Sequence, residues 1–284
     1  MKPHRARTQQ VRVGSVLIGG GAPVVVQSMT NTPTADARAT LAQIRRLAAA
    51  GCEVVRVAVP DAPAAAALSR LTASSPLPVV ADVHFDAALA LAALQGGAAK
   101  IRINPGNLGL PRALDVARAA AGAGVPVRIG VNAGSVPERR RKSARTPDRL
   151  GRLMADMALE YAGAFSRVGC RDLVLSVKAA DLTANLAAYR ALASAATFPL
   201  HLGVTEAGAG MGGVVKSAAG LAPLLFEGIG DTVRVSLTGD PMQEIPVANR
   251  LLAATGVRPR GVEIIACPTC GRTTGDFTGL VSRT

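Results

Sequence analysis

Short runs of β-branched and other apolar residues alternate with Ala- and Leu-rich stretches of helical length along nearly the whole chain. The strand candidates are Pro23 to Met29, Glu53 to Val59, Leu77 to Val83, Lys100 to Asn104, Val125 to Asn132, Asp172 to Lys178, Leu200 to Thr205 and Asp231 to Leu237. Between them the pattern predicts helices such as Asp36 to Ala50, Pro111 to Ala123, Asp148 to Val168 and Met242 to Thr255, several of them stopped by glycine. The strands show no clean apolar–polar alternation, as expected when both faces of a strand are covered. Strand followed by helix, repeated, is the mark of parallel βα units. Eight evenly spaced units favour a closed (β/α)8 TIM barrel over a doubly wound open sheet.

The 284 residues accommodate one barrel of roughly 250 residues and a short appendage. The expected division is a substrate-binding barrel over residues 1–258 and the beginning of an incomplete second domain over 259–284. That second segment opens with the apolar run Val262 to Ala266, which leads straight into Cys267. It falls short of the roughly 40 residues an independent core needs.

Nearly half the residues are apolar and 18% are charged, a composition that builds a large core and excludes a disordered chain. No apolar run approaches the roughly 20 residues of a membrane span. The stretch Met1 to Gln10 is polar and basic, without a signal-peptide core, and reads as a frayed arm. Four cysteines with one close pair make no disulfide framework, so the expected compartment is the reducing cytoplasm. The formal charge of +13 raises the question of a polyanionic partner, but 2% aromatics and no Trp leave nucleic acid without stacking platforms. The run Arg139 to Lys142 reads as solvated surface.

Charge changes the picture more where it lies inside strands. Arg56 sits in Val-Val-Arg-Val, Arg102 in Lys-Ile-Arg-Ile-Asn, Arg128 in Pro-Val-Arg-Ile-Gly-Val, Lys178 in Leu-Ser-Val-Lys and Arg234 in Thr-Val-Arg-Val-Ser. Burying an unpaired charge costs several kcal/mol, so such cations need carboxylates or a bound anion. Asp82 and Glu206 are the nearby strand-end carboxylates, fewer than the cations. Cations converging on the C-terminal face of a barrel make a phosphate or diphosphate pocket, whereas outward-pointing ones would pair with helix carboxylates. Gln27, Ser28, Asn104, Asn107, Asn132, Thr205 and Ser236 add neutral hydrogen-bonding groups at the same strand ends. His84 and Glu206 are the proton-transfer candidates. The stretch Glu206 to Gly213 places glycine amides between a strand and a helix, a weak anion-binding signal.

Cys267 and Cys270 form a C-x-x-C pair, suited to one metal ion, a cluster or a redox disulfide. Beyond Cys270 the sequence has no further Cys, His or Glu, and Asp276 is its last acid. Cys52 and Cys170, each between a helix and the next strand, read as core thiols.

The motifs VQSMTNT (Val26 to Thr32), ADVHFD (Ala81 to Asp86), RINPGN (Arg102 to Asn107), RIGVNAGS (Arg128 to Ser135), SVKAAD (Ser176 to Asp181), HLGVTEAG (His201 to Gly208), GIGDTVRVSLTGDP (Gly228 to Pro241) and CPTCGRT (Cys267 to Thr273) follow one another over nearly the whole chain. Together they closely resemble the 4-hydroxy-3-methylbut-2-enyl diphosphate synthase family, the iron–sulfur enzymes of non-mevalonate isoprenoid biosynthesis. The resemblance implies a barrel that binds 2-C-methyl-D-erythritol 2,4-cyclodiphosphate and a smaller domain holding a four-iron four-sulfur (4Fe-4S) cluster. Reduced flavodoxin or ferredoxin would supply the electrons for ring opening and loss of water.

It further implies substrate contacts from Arg56, Arg102, Asn104, Arg128, Asn132, Lys178, Arg234 and Ser236, and proton management by Glu206 with His84 and Asp82 in support. Cys267 and Cys270 would be two of the cluster ligands. The family's remaining ligands, a third cysteine and a glutamate, have no counterpart in the sequence, so the expectation is a C-terminally truncated member, inactive alone. Family members are homodimers in which one subunit's cluster domain covers the other's barrel. Two other readings remain: a redox-free phosphate- or pterin-binding barrel transferase or lyase with a structural Cys pair, and a basic RNA-binding module.

Overall fold

The structure, a computed structural model, describes residues 7–258 and, beyond them, 265–266, 269–270, 272, 274–276 and 279. It begins with an antiparallel hairpin absent from the eight expected strands, β1 (Val11–Val13) and β2 (Val16–Ile18). The turn between them is Gly14-Ser15, with Gly14 at φ 57 supplying the left-handed backbone of a tight two-residue loop.

Eight parallel strands follow, each inside one of the stretches expected from sequence. They are β3 (Val25–Met29), β4 (Val54–Ala58), β5 (Val79–Val83), β6 (Lys100–Ile103), β7 (Val127–Asn132), β8 (Leu173–Lys178), β9 (His201–Gly203) and β10 (Thr232–Arg234). Neighbours in sequence pair from β3 to β8, β10 pairs with β3 and β9, and a single bridge from Leu175 to Leu200 joins β8 to β9. The sheet therefore closes as a (β/α)8 barrel, not an open doubly wound sheet.

The surrounding helices are α1 (Ala37–Ala49), α2 (Ala62–Ser74), α3 (Ala87–Gln95), α4 (Pro105–Leu108), α5 (Leu110–Gly122), α6 (Glu138–Ser143), α7 (Pro147–Arg167), α8 (Leu182–Ala195), α9 (Gly210–Phe226) and α10 (Glu244–Ala254). Asp36, Asp61, Asp86 and Asp181 cap α1, α2, α3 and α8 by accepting hydrogen bonds from first-turn amides. These caps occupy carboxylates at the strand ends where the cations emerge, so they are not available as counter-charges in the lumen. Glycine past the last turn stops the helices, as at Gly51 (φ 97) after α1 and Gly169 (φ 91) after α7. No helix among the described residues is long and apolar enough to cross a membrane.

The strands do alternate, in a way that a simple apolar–polar reading hides. One set, including Val55, Val57, Ile101, Ile103, Ile129, Leu175 and Val177, packs outward in the main core with the helices. The other set faces the lumen. Its lowest layer is Val25, Val54, Val80 and Val174, and against these sit Val11, Val13 and Ile18 of the hairpin. The hairpin thus supplies an apolar floor to the barrel. Above that floor the lumen residues turn polar and charged.

Ile18 is fully buried in this floor, and its truncation opens a cavity that the closed sheet cannot collapse around. Ile18→Ala is expected to lower the unfolding free energy by about 2–5 kcal/mol in urea titrations. A loss below about 0.5 kcal/mol, the range of an ordinary surface change, would show that the hairpin does not seat the barrel.

Candidate active site

Partners in a parallel ladder share a face, so pairing places the cations. Val80 of the floor pairs with Lys100, Asp82 with Arg102, Arg102 with Arg128, and Asn132 with Lys178. Lys100, Arg102 and Arg128 therefore all point into the lumen. At the C-terminal end the lumen opens into a cavity of about 240 Å³ lined by Arg56, Asp82, His84, Arg102, Arg128, Asn132, Ser176, Lys178, Thr205, Glu206, Arg234 and Ser236, among others. Five cations from five strands meet there, and none of them turns outward to the helices.

Two buried carboxylates organise the walls. Arg102 Nη1 donates to Asp82 Oδ1 at 2.9 Å, and Arg56 Nε lies 3.4 Å from Asp82 Oδ2. His84 Nε2 lies 2.5 Å from Arg102 Nη1. A guanidinium only donates, so this nitrogen accepts and the imidazole proton sits on Nδ1. On the opposite side Glu244 accepts from Arg234 Nη2 at 3.2 Å, from Ser28 Oγ at 2.8 Å and from the Leu237 amide at 3.2 Å. Between the two centres Met29 Sδ accepts from Arg56 at 2.9 and 3.1 Å and faces Arg234 at 3.7 Å. A thioether is a weak acceptor, and its use between two guanidiniums shows how scarce carboxylates are here.

Several donors have no partner. Arg128 Nε and Nη1, Arg102 Nε and Lys100 Nζ are buried without a hydrogen bond among the described residues. Burial and its cationic neighbours push Arg128 well below its ordinary value, and burial with Arg128 and Arg56 does the same to Lys100. Burial also lowers Lys178, helped by Arg128 and Arg56, and takes Arg56 down to about 10 despite Asp82. Asp82 goes the other way: burial alone would raise it, but Arg56 and then Arg102 hold it well below the usual carboxylate range. All these shifts report one imbalance, a surplus of buried positive charge that an anion in the cavity relieves.

Glycines make the room. A Cβ at Gly130 would meet Arg102 Nε at 2.7 Å, and one at Gly203 would meet Lys178 Cε at 2.7 Å. Glu206 sits at φ 53, the one described non-glycine residue with a left-handed backbone. Such local strain persists where surrounding structure enforces it, and it presents the Glu206 side chain to the cavity mouth.

Of the residues expected to bind substrate, Asn104 is not on this cavity. Its Oδ1 caps α4 by accepting from the Gly106 amide at 3.2 Å, while Nδ2 is buried without a partner among the described residues. Ser28 is committed to Glu244, and Gln27 is buried in the lumen with both amide atoms unpaired among the described residues. Neither they nor Asn107 line the cavity. Sequence reasoning missed Glu244, Lys100 and His201. Lys100 was legible, two positions before Arg102 on the same strand; Glu244, inside a helix, looks like an ordinary first-turn acid.

Cys52 and Cys170 are buried core thiols, each pushed up to about 11, chiefly by burial. Cys270 is exposed, and Cys267 lies outside the described residues. Among the described residues no group of three or more His, Cys, Asp or Glu is placed to hold a metal ion. The described residues therefore do not by themselves form a ligand set for an iron–sulfur cluster.

Comparison with known proteins adds to this geometry. The family described as the GcpE TIM-barrel domain matches residues 8–249. A 4-hydroxy-3-methylbut-2-en-1-yl diphosphate synthase (flavodoxin) of Geobacter sulfurreducens is 49% identical over 269 residues, covering 94% of this chain and 76% of the relative. The Bacillus subtilis enzyme of the same name is 45% identical over 280 residues, 98% of this chain and 74% of the relative. Among solved structures, Xanthomonas albilineans dihydropteroate synthase superimposes with a TM-score of 0.62 at 16% identity, over 88% of this chain and 98% of that one. The Yersinia pestis dihydropteroate synthase gives 0.60 at 14%, over 86% and 98%. At that identity the likeness is one of fold alone.

The depressed pKa of Asp82 has a defined consequence for stability. Its ionised form stabilises the folded state at every pH above the unfolded carboxylate value of about 3.9, and that contribution is lost as pH falls from there through the lower folded value. Urea unfolding of the wild type and Asp82→Asn is therefore expected to differ by a constant amount between about pH 8 and 5 and to converge below about pH 3.9. A difference that changes mainly around neutrality would place the controlling proton elsewhere.

Proposed function

The chain belongs to the GcpE TIM-barrel family, whose curated relatives are 4-hydroxy-3-methylbut-2-en-1-yl diphosphate synthases, and on that premise we propose that its lumen is the cyclodiphosphate site of this reaction. The reaction, a step of isoprenoid biosynthesis, converts 2-C-methyl-D-erythritol 2,4-cyclodiphosphate into 4-hydroxy-3-methylbut-2-enyl diphosphate. The carrying observation is the charge imbalance: Arg56, Arg102, Arg128, Lys178 and Arg234 line one cavity, with Asp82 and Glu244 as their only buried ion-pair partners among the described residues.

The chemistry assigns each wall a task. Two electrons enter the carbon skeleton, two carbon–oxygen bonds leave it, and a carbon–carbon double bond forms. One departing oxygen stays on the diphosphate, still tethered at the far carbon; the other leaves as hydroxide and takes a proton to become water. Arg128, whose Nε and Nη1 are unpaired among the described residues, and Lys178 bind the diphosphate and stabilise the charge on its released oxygen. Asp82 orients Arg56 and Arg102, and Glu244 orients Arg234, so that these donors need not reorganise as charge develops. Asn132 and Ser236 lie beside them for the remaining polar oxygens. Glu206, exposed at the mouth, supplies the proton in this reading, and His84, beside Asp82 and Arg102, supports it from the far wall of the same cavity.

The family is one of iron–sulfur enzymes. In this reading Cys267 and Cys270 contribute two ligands of a four-iron four-sulfur cluster, which supplies electrons when bound, and residues 259–284 begin the domain that holds it. The names of the relatives support flavodoxin as electron donor over ferredoxin. A homodimer in the cytoplasm completes the assignment.

Calorimetry tests the pocket directly. The cyclodiphosphate is expected to bind the wild-type chain, and Arg128→Met or Lys178→Ala to weaken it by about tenfold or more, the scale of one charge-assisted contact. Raising salt should weaken binding less than at an exposed site, because the cations are buried. Absence of binding, or an Arg128→Met variant that binds as tightly as wild type, would remove the assignment.

A further inference from the structure

His201 does not line the cavity, yet among the described residues its Nε2, 3.3 Å away, is the only hydrogen-bond partner of Lys178 Nζ. The ring is fully buried, and Nδ1 is bonded to Thr232 Oγ1 on the neighbouring strand. The His201 backbone carbonyl accepts from Tyr189 Oη at 2.7 Å, which pins the start of β9 to α8. Lys178 itself lies across to β9 through the space left by Gly203. A chain of contacts therefore runs from Thr232 through His201 to Lys178 and on to the cavity.

We propose that His201 is a positioning residue: Thr232 fixes its neutral ring with the proton on Nδ1, and the Nε2 lone pair holds the Lys178 ammonium against β9 and aimed at the bound anion. This rests on the cavity being an anion site. An ammonium has three donors and no acceptor, so a hydrogen bond to imidazole requires a bare nitrogen. Burial, then the surrounding Arg128, Lys178, Lys100 and Arg56, keep the ring from charging, which leaves one nitrogen free to accept.

With Nε2 accepting, Nδ1 carries the ring's only N–H and donates it to Thr232 Oγ1. A carboxylate in the same place would hold Lys178 more strongly but would cancel the charge the substrate needs. A neutral acceptor orients the ammonium and leaves its charge intact. Lys178 has a long, flexible stem, and an acceptor at one donor, with a glycine-lined slot beside it, restricts that freedom before the ligand arrives.

The experiment is a double-mutant cycle on the full chain, with inorganic pyrophosphate as the calorimetric probe. His201→Leu is expected to weaken pyrophosphate binding by about tenfold in the wild-type background and by less than about twofold once Lys178→Met is present. His201→Gln, which keeps an acceptor, should bind within about threefold of wild type. Equal weakening with and without Lys178, or His201→Leu binding as well as wild type, overturns the proposal.

A second measurement needs no folded variant. The chain has three histidines, and nitrogen-15 shifts of wild-type protein should show His201 protonated at Nδ1. A ring protonated at Nε2 overturns the proposal independently. If wild-type protein fails to bind pyrophosphate, the anion-site reading falls as well; if it binds and the cycle shows no coupling, only the role of His201 falls.

Discussion

Inside the barrel Arg56, Lys100, Arg102, Arg128, Lys178 and Arg234 face a common lumen, and Asp82 and Glu244 are the buried carboxylates that answer them. Gathering like charges in a poorly solvated space is unfavourable by several kcal/mol per ion, and the folded chain tolerates it because everything around the cluster is conventional. The outer faces of the same strands form a continuous apolar layer with the helices, and the hairpin closes the lower end with valines and an isoleucine. Those layers carry the stability. The lumen is then free to hold a surplus of positive charge, which an anion bound there would relieve.

That division explains why two carboxylates suffice. Asp82 bridges Arg56 and Arg102, and Glu244 holds Arg234 together with Ser28 and the Leu237 amide. Each fixes the geometry of a cation while neutralising only part of the total. Among the described residues Arg128 and Lys100 are left without acid partners, and the thioether of Met29 fills a place that an acid would occupy in an ordinary buried ion pair. A third or fourth carboxylate would remove the positive surplus that suits the cavity to an anion.

How much of this was legible follows from what each residue's local pattern can say. Strand cations in Val-Arg-Val and Ile-Arg-Ile settings announce themselves, because a charge flanked by residues that pack on helices must face the other way. The alternation itself escaped notice since its polar half begins only above the valine floor. Asn104 stands off the cavity because its position at the strand end is equally that of a helix cap, and the backbone takes its Oδ1. Glu244 and His201 carry no local sign at all. The first is a helix-start acid whose partner is ten residues earlier on β10, and the second opens a strand whose register with β10, rather than its own sequence, puts it beside Thr232.

The glycines complete the logic, and they turn the charge cluster into a pattern that sequence does record. A long lumen-facing cation has to lie against a neighbouring strand, and the position it lies on cannot carry a side chain. Arg102 crosses to Gly130, and Lys178 to Gly203. Each glycine is two residues beyond a buried lumen residue of its own strand, Arg128 in Arg-Ile-Gly and His201 in His-Leu-Gly. Volume and charge are therefore specified together: the strand that brings one polar residue into the lumen also leaves the gap that its neighbour's cation needs. Filling either gap would displace a guanidinium or an ammonium that lines the cavity without changing that cation's own residue, which is why these glycines belong to the site as much as the cations do.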